Sequence, residues 1–114
     1  MRAKLKLNGK EIEIPDIEKA DGIKKYTGLM FKSTNTNALL FDFKNSKQAI
    51  HSLFCPDFLA IWLNEGKIVD YKLITTSKFT IKPEKEFTHL LEIPVNDKYA
   101  EVISNFLETK LQSS

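Results

Sequence analysis

Apolar residues alternate with charged residues at the start of the chain, on both sides of a turn signal. Leu5 and Leu7 precede Asn8-Gly9, and Ile12 and Ile14 follow it. An Asn-Gly pair between alternating apolar residues is the strongest short-range signal for a β-hairpin. The pattern therefore predicts two antiparallel strands joined at Asn8-Gly9.

The next apolar residues recur at every third position from Ile17 to Tyr26. Asp16 stands where a helix N-cap belongs, and Gly28 stands where a C-terminal cap belongs. Apolar residues at this spacing form a stripe along one side of a helix. The segment is therefore predicted to be an amphipathic helix.

The middle of the chain predicts a series of short strands. Ala38–Phe41 and Phe58–Leu63 are apolar at every position, which is typical of central strands covered on both faces. Gly66 closes a tight turn that begins at Asn64. Further strands are predicted at Ile50–Phe54, Lys67–Thr75, Phe79–Ile81 and Phe87–Ile93, with Pro94 ending the last of them.

The C-terminal segment has the clearest helical pattern of the chain. Asn96 or Asp97 is suited to cap its N-terminus. A helix of this kind at a domain end normally docks on its own sheet, and this interpretation is favoured over a groove for a partner. The apolar stripe consists of Tyr99, Val102, Ile103, Phe106, Leu107 and Leu111.

These elements indicate an α+β domain. Successive hairpins dominate, and strands do not alternate regularly with helices. We therefore expect a mostly antiparallel, barrel-like β-sheet of about seven or eight short strands, together with two helices. The length of 114 residues suits a single globular domain over residues 1–111, with a frayed tail at 112–114.

The number of cysteines and the length of the apolar stretches indicate which cellular compartment suits the chain. Cys55 is the only cysteine, so an internal disulfide is excluded and a reducing compartment is favoured. Residues 1–7 lack the apolar run of a signal peptide. No apolar stretch approaches the roughly 18 residues of a membrane span. We therefore expect a cytoplasmic protein that does not enter the membrane.

The charge is nearly balanced, with 17 basic and 15 acidic residues. Arg2 is the only arginine, and the lysines are dispersed along the whole chain. Arginine is the usual residue for two-pronged recognition of phosphate and guanine. Specific nucleic-acid binding is therefore not expected. Weak, salt-sensitive and sequence-independent binding stays as a minor alternative.

One short segment brings together side chains that could carry chemistry. His51, Cys55 and Asp57 lie within seven residues, but His51 and Cys55 would stand roughly 13 Å apart on a strand. Cys55, between Phe54 and Pro56, is interpreted as a buried structural residue. The sequence has no phosphate-binding glycine loop, nucleophile elbow or paired cysteines. We therefore predict no catalytic residue, no metal and no cofactor.

His89 and Asp42 are two further residues that could carry chemistry, but a structural role is favoured for each of them. A metal site formed by His51 and His89 with Cys55 or Asp57 is possible in principle, but a hydrogen-bonded His89 within an apolar strand is favoured. Asp42 lies between aromatic residues and could act as an acid or base. A position at a strand end, facing water, is favoured for it.

Four segments have the order and spacing of motifs in a known family. They are Gly28-Leu-Met-Phe-Lys32, Ala38-Leu-Leu-Phe-Asp-Phe43, Ile50-His-Ser-Leu-Phe54 and Trp62-Leu-Asn-Glu-Gly-Lys-Ile-Val69. They resemble domain of unknown function 192, also called uncharacterised protein family 0127, over residues 11–95. The resemblance implies a compact, β-rich, barrel-like domain with no established activity. The family usually has Pro-(Ile/Leu)-Asp before the central strand, whereas Leu59 replaces that aspartate here and Asp57 lies two residues earlier.

The residues favour a non-catalytic binding domain over an enzyme. The junction at Gly28–Lys32 carries adaptable and polar side chains, and His51 can change its charge near neutral pH. A cleft near this junction would bind a small molecule or a protein. The alternative is a small enzyme that uses His51 with Asp42 or Asp57. The predicted ligand-binding residues are Met30, Lys32, His51 and Asp57.

Overall fold

The structure, a computed structural model, describes residues 1–20, 35–46, 57–75, 81–83 and 85–112. Seven strands and one α-helix lie within these ranges. They are β1 (Ala3–Leu7), β2 (Lys10–Ile14), β3 (Ile17–Lys19), β4 (Ala38–Ser46), β5 (Phe58–Asn64), β6 (Lys67–Ile74) and β7 (Phe87–Pro94), followed by a 3-10 turn at Asp97–Tyr99 and helix α1 (Ala100–Gln112).

The strands form two sheets. β1 and β2 make a two-stranded hairpin, and the other five strands lie in the order β3-β4-β7-β5-β6. Neighbouring strands are antiparallel except β3 and β4, which run parallel. β7 is the last strand in the sequence, yet it lies at the centre of the larger sheet.

Two tight turns have the backbone that the sequence predicts. Asn8 and Gly9 both have positive φ angles, of 51° and 81°, and Glu65 and Gly66 have φ angles of 52° and 77°. Two successive residues with positive φ form the type I′ turn, whose twist matches that of the flanking strands. The predicted hairpin at Asn8-Gly9 and the predicted turn before Lys67 are both confirmed.

The turn between β5 and β6 gives a direct test of this backbone. We expect Gly66→Ala to lower the free energy of unfolding by about 1–2 kcal/mol, because a side chain disfavours positive φ. A Cβ atom at this position would meet nothing within 4 Å, so the loss would be purely conformational. Urea denaturation measures it, with Gly66→Asn as the tolerated control. Equal stability of the alanine variant would argue against a left-handed turn.

Residues at alternating positions of the large sheet point to its two opposite faces, and both faces contain buried clusters. On the first, which we call the helix face, Leu59, Ile61, Leu91 and Ile93 pack with the hairpin and with α1. On the second, which we call the aromatic face, the buried residues include Phe41, Phe58, Trp62 and Phe87. Phe58–Leu63 is buried at every position, which confirms the prediction of a central strand covered on both faces.

The predicted first helix is wrong at its start. Ile17–Lys19 is a strand that pairs with β4. Asp16 has a φ of 51° and so turns the chain instead of capping a helix. The backbone of Ile17 also exchanges two hydrogen bonds with Met1, at 2.7 and 2.9 Å. The N–H of Ala20 donates a hydrogen bond of 2.9 Å to the Leu40 carbonyl, and residues 21–28 of the predicted helix lie outside the described residues.

The expected barrel with two helices is also wrong. Within the described ranges, the large sheet is open, because its outer strands β3 and β6 do not pair with each other. These ranges contain a single α-helix, so the domain is mostly sheet. The predicted strand Ile50–Phe54 lies outside the described residues, and Ile81 forms only an isolated bridge.

Candidate functional site

Three of the four predicted ligand-binding residues lie outside the described part of the chain. These are Met30, Lys32 and His51. Asp57 is described, and it is exposed just before β5. Its carbonyl oxygen accepts a hydrogen bond of 3.0 Å from the backbone N–H of Val95. Asp57 is therefore fixed by its backbone, while its carboxylate faces solvent.

The two aspartates proposed as partners of His51 lie at opposite ends of the large sheet. Asp42 pairs with His89, and His89 pairs in turn with Leu63 at the far end of β5. Asp57 comes six residues before Leu63, which is a distance of roughly 20 Å along a strand. The two alternatives, His51 with Asp42 or His51 with Asp57, are therefore two separate sites, and His51 itself lies outside the described residues.

Asp42 lies beside His89, which in turn contacts Thr88. The Asp42 Oδ1 atom is 3.7 Å from His89 Nε2, and both side chains are partly exposed. Thr88 Oγ1 lies 3.4 Å from the carbonyl oxygen of Leu63. Thr88 Oγ1 and His89 Nδ1 are 2.9 Å apart. The prediction of a hydrogen-bonded His89 is confirmed.

The direction of the contact between Thr88 and His89 depends on the tautomer of the imidazole. The Thr88 hydroxyl has one proton, which is donated either to the Leu63 carbonyl or to His89 Nδ1. The described ranges also contain no group of three or more His, Cys, Asp or Glu side chains placed to hold a metal ion.

A buried tyrosine joins the start of the helix to the ends of two strands. The Tyr99 hydroxyl accepts a hydrogen bond of 2.9 Å from Ala38 N–H and donates one of 2.8 Å to the Asp16 carbonyl. Burial raises the pKa of the Tyr99 phenol, the bond from Ala38 opposes this, and the charges of Asp16 and Glu18 add to it. The role of Tyr99 is therefore to hold the fold together.

One side of α1 is tied to the rest of the domain by lysine contacts. Lys98 Nζ lies 3.4 Å from Asp16 Oδ2 and donates a hydrogen bond to Asn37 Oδ1. Lys10 Nζ donates a hydrogen bond of 2.7 Å to Asn105 Oδ1. Asn96 caps the helical segment, since its side chain accepts from the N–H of Tyr99. This side of the helix is thus occupied by contacts within the domain.

The other side of α1 borders an open groove. The groove has a volume of about 460 Å³, which is within the range of roughly 300–1,000 Å³ usual for ligand sites. Val95 and Leu107 expose 41% and 36% of their surface there. We call it the helix groove; it is lined by Val95, Asn96, Asp97, Ala100, Ile103, Ser104, Leu107 and Glu108.

Both charged residues in the described lining of the helix groove are acidic. Asp97 lies near its start and Glu108 near its end, and both are exposed. The Ser104 hydroxyl donates a hydrogen bond of 3.3 Å to Glu108 Oε1. Within the described part of the chain, neither acid forms an ion pair with a lysine or an arginine. The groove therefore combines apolar side chains with negative charge.

Sequence reasoning placed Leu107 in the docking stripe of the helix. Tyr99, Val102, Ile103 and Phe106 are buried as expected, but Leu107 is exposed in the groove. Leu107 follows Phe106 directly, so the two side chains point about 100° apart around the helix. The signal was present in the sequence, because the apolar stripe was wider than one docking face requires.

Sequence reasoning also missed a buried carboxylate. Glu92 exposes only 4% of its surface, and it lies in the central strand β7 between Leu39 and Ala60. A charged residue within the apolar run from Leu90 to Ile93 was the available signal. A carboxylate at this depth is stable only when paired, hydrogen-bonded or protonated.

Comparison of the chain with protein-family models, curated proteins and solved structures gave no match. The resemblance to domain of unknown function 192 therefore stays a prediction from the four sequence segments. Among the described residues, no helix has the length and apolar character needed to span a membrane.

Proposed function

We propose that this chain is a small non-catalytic binding domain, and that the helix groove is its binding surface. The observation that carries the proposal is that Leu107 and Val95, two exposed apolar residues, line the same groove. Large apolar side chains grouped in a concavity are typical of binding sites, whereas isolated ones are ordinary surface.

The contacts on the two sides of α1 support this choice. Hydrogen bonds within the domain hold Asn105 on one side of α1 and Lys98 in the 3-10 turn that precedes it. The side that carries Ala100, Leu107 and Glu108 borders the groove instead. The helix is thus anchored on one side and available on the other, so a partner can bind without displacing it.

Catalysis has less support than binding. An enzyme that uses His51 with Asp42 or Asp57 requires one of two carboxylates that lie at opposite ends of the sheet. Asp42 already lies next to His89, and Asp57 lies at the end that also carries Val95. The surface near Met30, Lys32 and His51 stays a second proposed binding surface, which the following experiment distinguishes from the helix groove.

The test uses a neutral amphipathic peptide, with leucines on one side and glutamines on the other, titrated into the ¹⁵N-labelled chain. We expect the amide shift changes to cluster at residues 95–108. Leu107→Gln should weaken binding by about 30-fold, since an anchor in a groove contributes about 2 kcal/mol. Glu101→Gln, on the same helix but outside the groove lining, is the matched control.

Two results would contradict the proposal. Shift changes confined to residues 28–32 and 51 would place the binding surface where the sequence motifs indicate it. Unchanged affinity of the Leu107→Gln variant, with its helix intact by circular dichroism, would show that the groove does not contact the peptide.

A further inference from the structure

The charge of the helix groove is opposite in sign to that of the whole chain. The chain has a net charge of +2 and 17 basic residues. Among the residues that the structure describes, the groove lining nevertheless contains two acidic residues, Asp97 and Glu108, and no basic one. The lysines near α1 that make described contacts, Lys10 and Lys98, make them on its other side.

Each acid is close in sequence to one of the exposed apolar residues, since Asp97 comes two residues after Val95 and Glu108 follows Leu107. Asp97 begins the 3-10 turn, and Glu108 lies in the second half of α1. They are 11 residues apart in sequence, which corresponds to roughly 16–18 Å along the helical segment. The exposed apolar side chain of Leu107 lies within this span.

We propose that the occupant of the helix groove is an amphipathic segment of another protein, with lysine or arginine residues on both sides of its apolar side chains; this inference rests on the proposed function. The apolar side chains contact Leu107 and Val95. The flanking basic residues approach Asp97 and Glu108, so they are about three helical turns apart if the segment is helical. Opposite charges at the rim of an interface set its orientation and raise its association rate.

Other occupants fit this charge pattern less well. In a twofold dimer of the chain, each copy would place its acids against the same acidic surface of the other. Like charges facing each other across an interface oppose association. Asp97 and Glu108 also repel anionic phosphates, whether these belong to nucleic acid or to lipid head groups. A basic protein segment is complementary to both the apolar and the acidic part of the groove.

Isothermal titration calorimetry with three amphipathic peptides tests this inference. The peptides share the same leucines and differ only in the flanking residues, which are lysine, glutamine or glutamate. We expect the lysine peptide to bind about tenfold more tightly than the glutamine peptide, and the glutamate peptide to bind most weakly. The preference should fall as the salt concentration rises from about 0.05 M to about 0.5 M, because these ion pairs are exposed.

Matched variants locate the charge effect. Asp97→Asn and Glu108→Gln should each reduce the preference for the lysine peptide. Glu65→Gln removes one exposed negative charge from the turn between β5 and β6, at the opposite end of β5 from the residue that pairs with Pro94, so it should leave the preference unchanged. Because Asp97 lies in the first helical turn, Glu108→Gln provides the test if Asp97→Asn weakens the helix.

The possible results separate this inference from the proposed function. Equal affinity for all three peptides would overturn the charge inference and leave the groove as a binding surface. Binding of none would overturn both. A dimer in analytical ultracentrifugation that Leu107→Gln dissociates would show that a second copy occupies the groove, and would overturn the inference.

Discussion

Replacement of Phe106 by alanine is expected to lower the free energy of unfolding by about 3–5 kcal/mol. The Phe106 ring is fully buried on the helix face, and its centroid lies 5.0 Å from that of Tyr71 in a T-shaped arrangement. The substitution removes this aromatic contact and leaves a cavity between α1 and the sheet. Urea denaturation followed by tryptophan fluorescence measures the loss, since Trp62 is buried in the same sheet.

The adjacent residue provides the control. Leu107→Ala removes an apolar side chain from the next position of the same helix, but this side chain is exposed in the groove. We therefore expect a change within about 1 kcal/mol. Similar losses for the two variants would mean that Leu107 is packed as core, and the helix groove would then not exist in solution.

Tyr99→Phe is expected to lower the free energy of unfolding by about 1–3 kcal/mol, although it removes a single oxygen atom. The ring still packs, but the buried N–H of Ala38 loses its acceptor and the carbonyl of Asp16 loses its donor. Tyr71→Phe is the matched control, since no described residue forms a hydrogen bond with that hydroxyl. Equal stability of the two variants would argue against the structural role of Tyr99.

The pH dependence of the free energy of unfolding provides a second test of the role of Tyr99. The pKa of Tyr99 is raised above its ordinary value of 10.0, first of all by burial. Above pH 10 the unfolded phenol ionises while the folded one stays neutral, so the wild-type chain loses stability as the pH rises. Tyr99→Phe removes this contribution. The difference in stability between the two chains should therefore shrink above pH 10.

Local chemistry made part of the fold predictable. Asn8-Gly9 and Glu65-Gly66 form their turns because successive residues there adopt positive φ. Asn96 caps the helical segment because its side chain reaches the N–H of Tyr99. Each of these features depends on residues within a few positions of one another, so the sequence pattern was sufficient.

The errors arose where distant segments determine the structure. The spacing from Ile17 onward suits a helix, but pairing with Met1 and with β4 fixes Ile17–Lys19 as a strand. The sheet would close into a barrel only if its outer strands β3 and β6 paired with each other. A local sequence pattern does not indicate whether such distant strands pair. The strand order likewise separates Asp42 from Asp57, two residues that looked equivalent as partners for His51.

The sequence predicts the candidate site only in part. It predicts the apolar stripe that contains Leu107, and it favours packing of that stripe on the sheet over a groove for a partner. The choice between core and groove depends on how far the sheet extends beneath the helix. Phe106 packs in the buried cluster of the helix face and Leu107 lines the groove, and helical periodicity alone does not distinguish such neighbours.

The central position of β7 has a consequence for synthesis on the ribosome. β4 and β5 are translated first, but their shared neighbour is Phe87–Pro94. Until that segment leaves the exit tunnel, both strands keep an unpaired edge that can bind other chains. The large sheet therefore forms late in translation, and nascent chains that stop before residue 87 should require chaperones to stay free of aggregation.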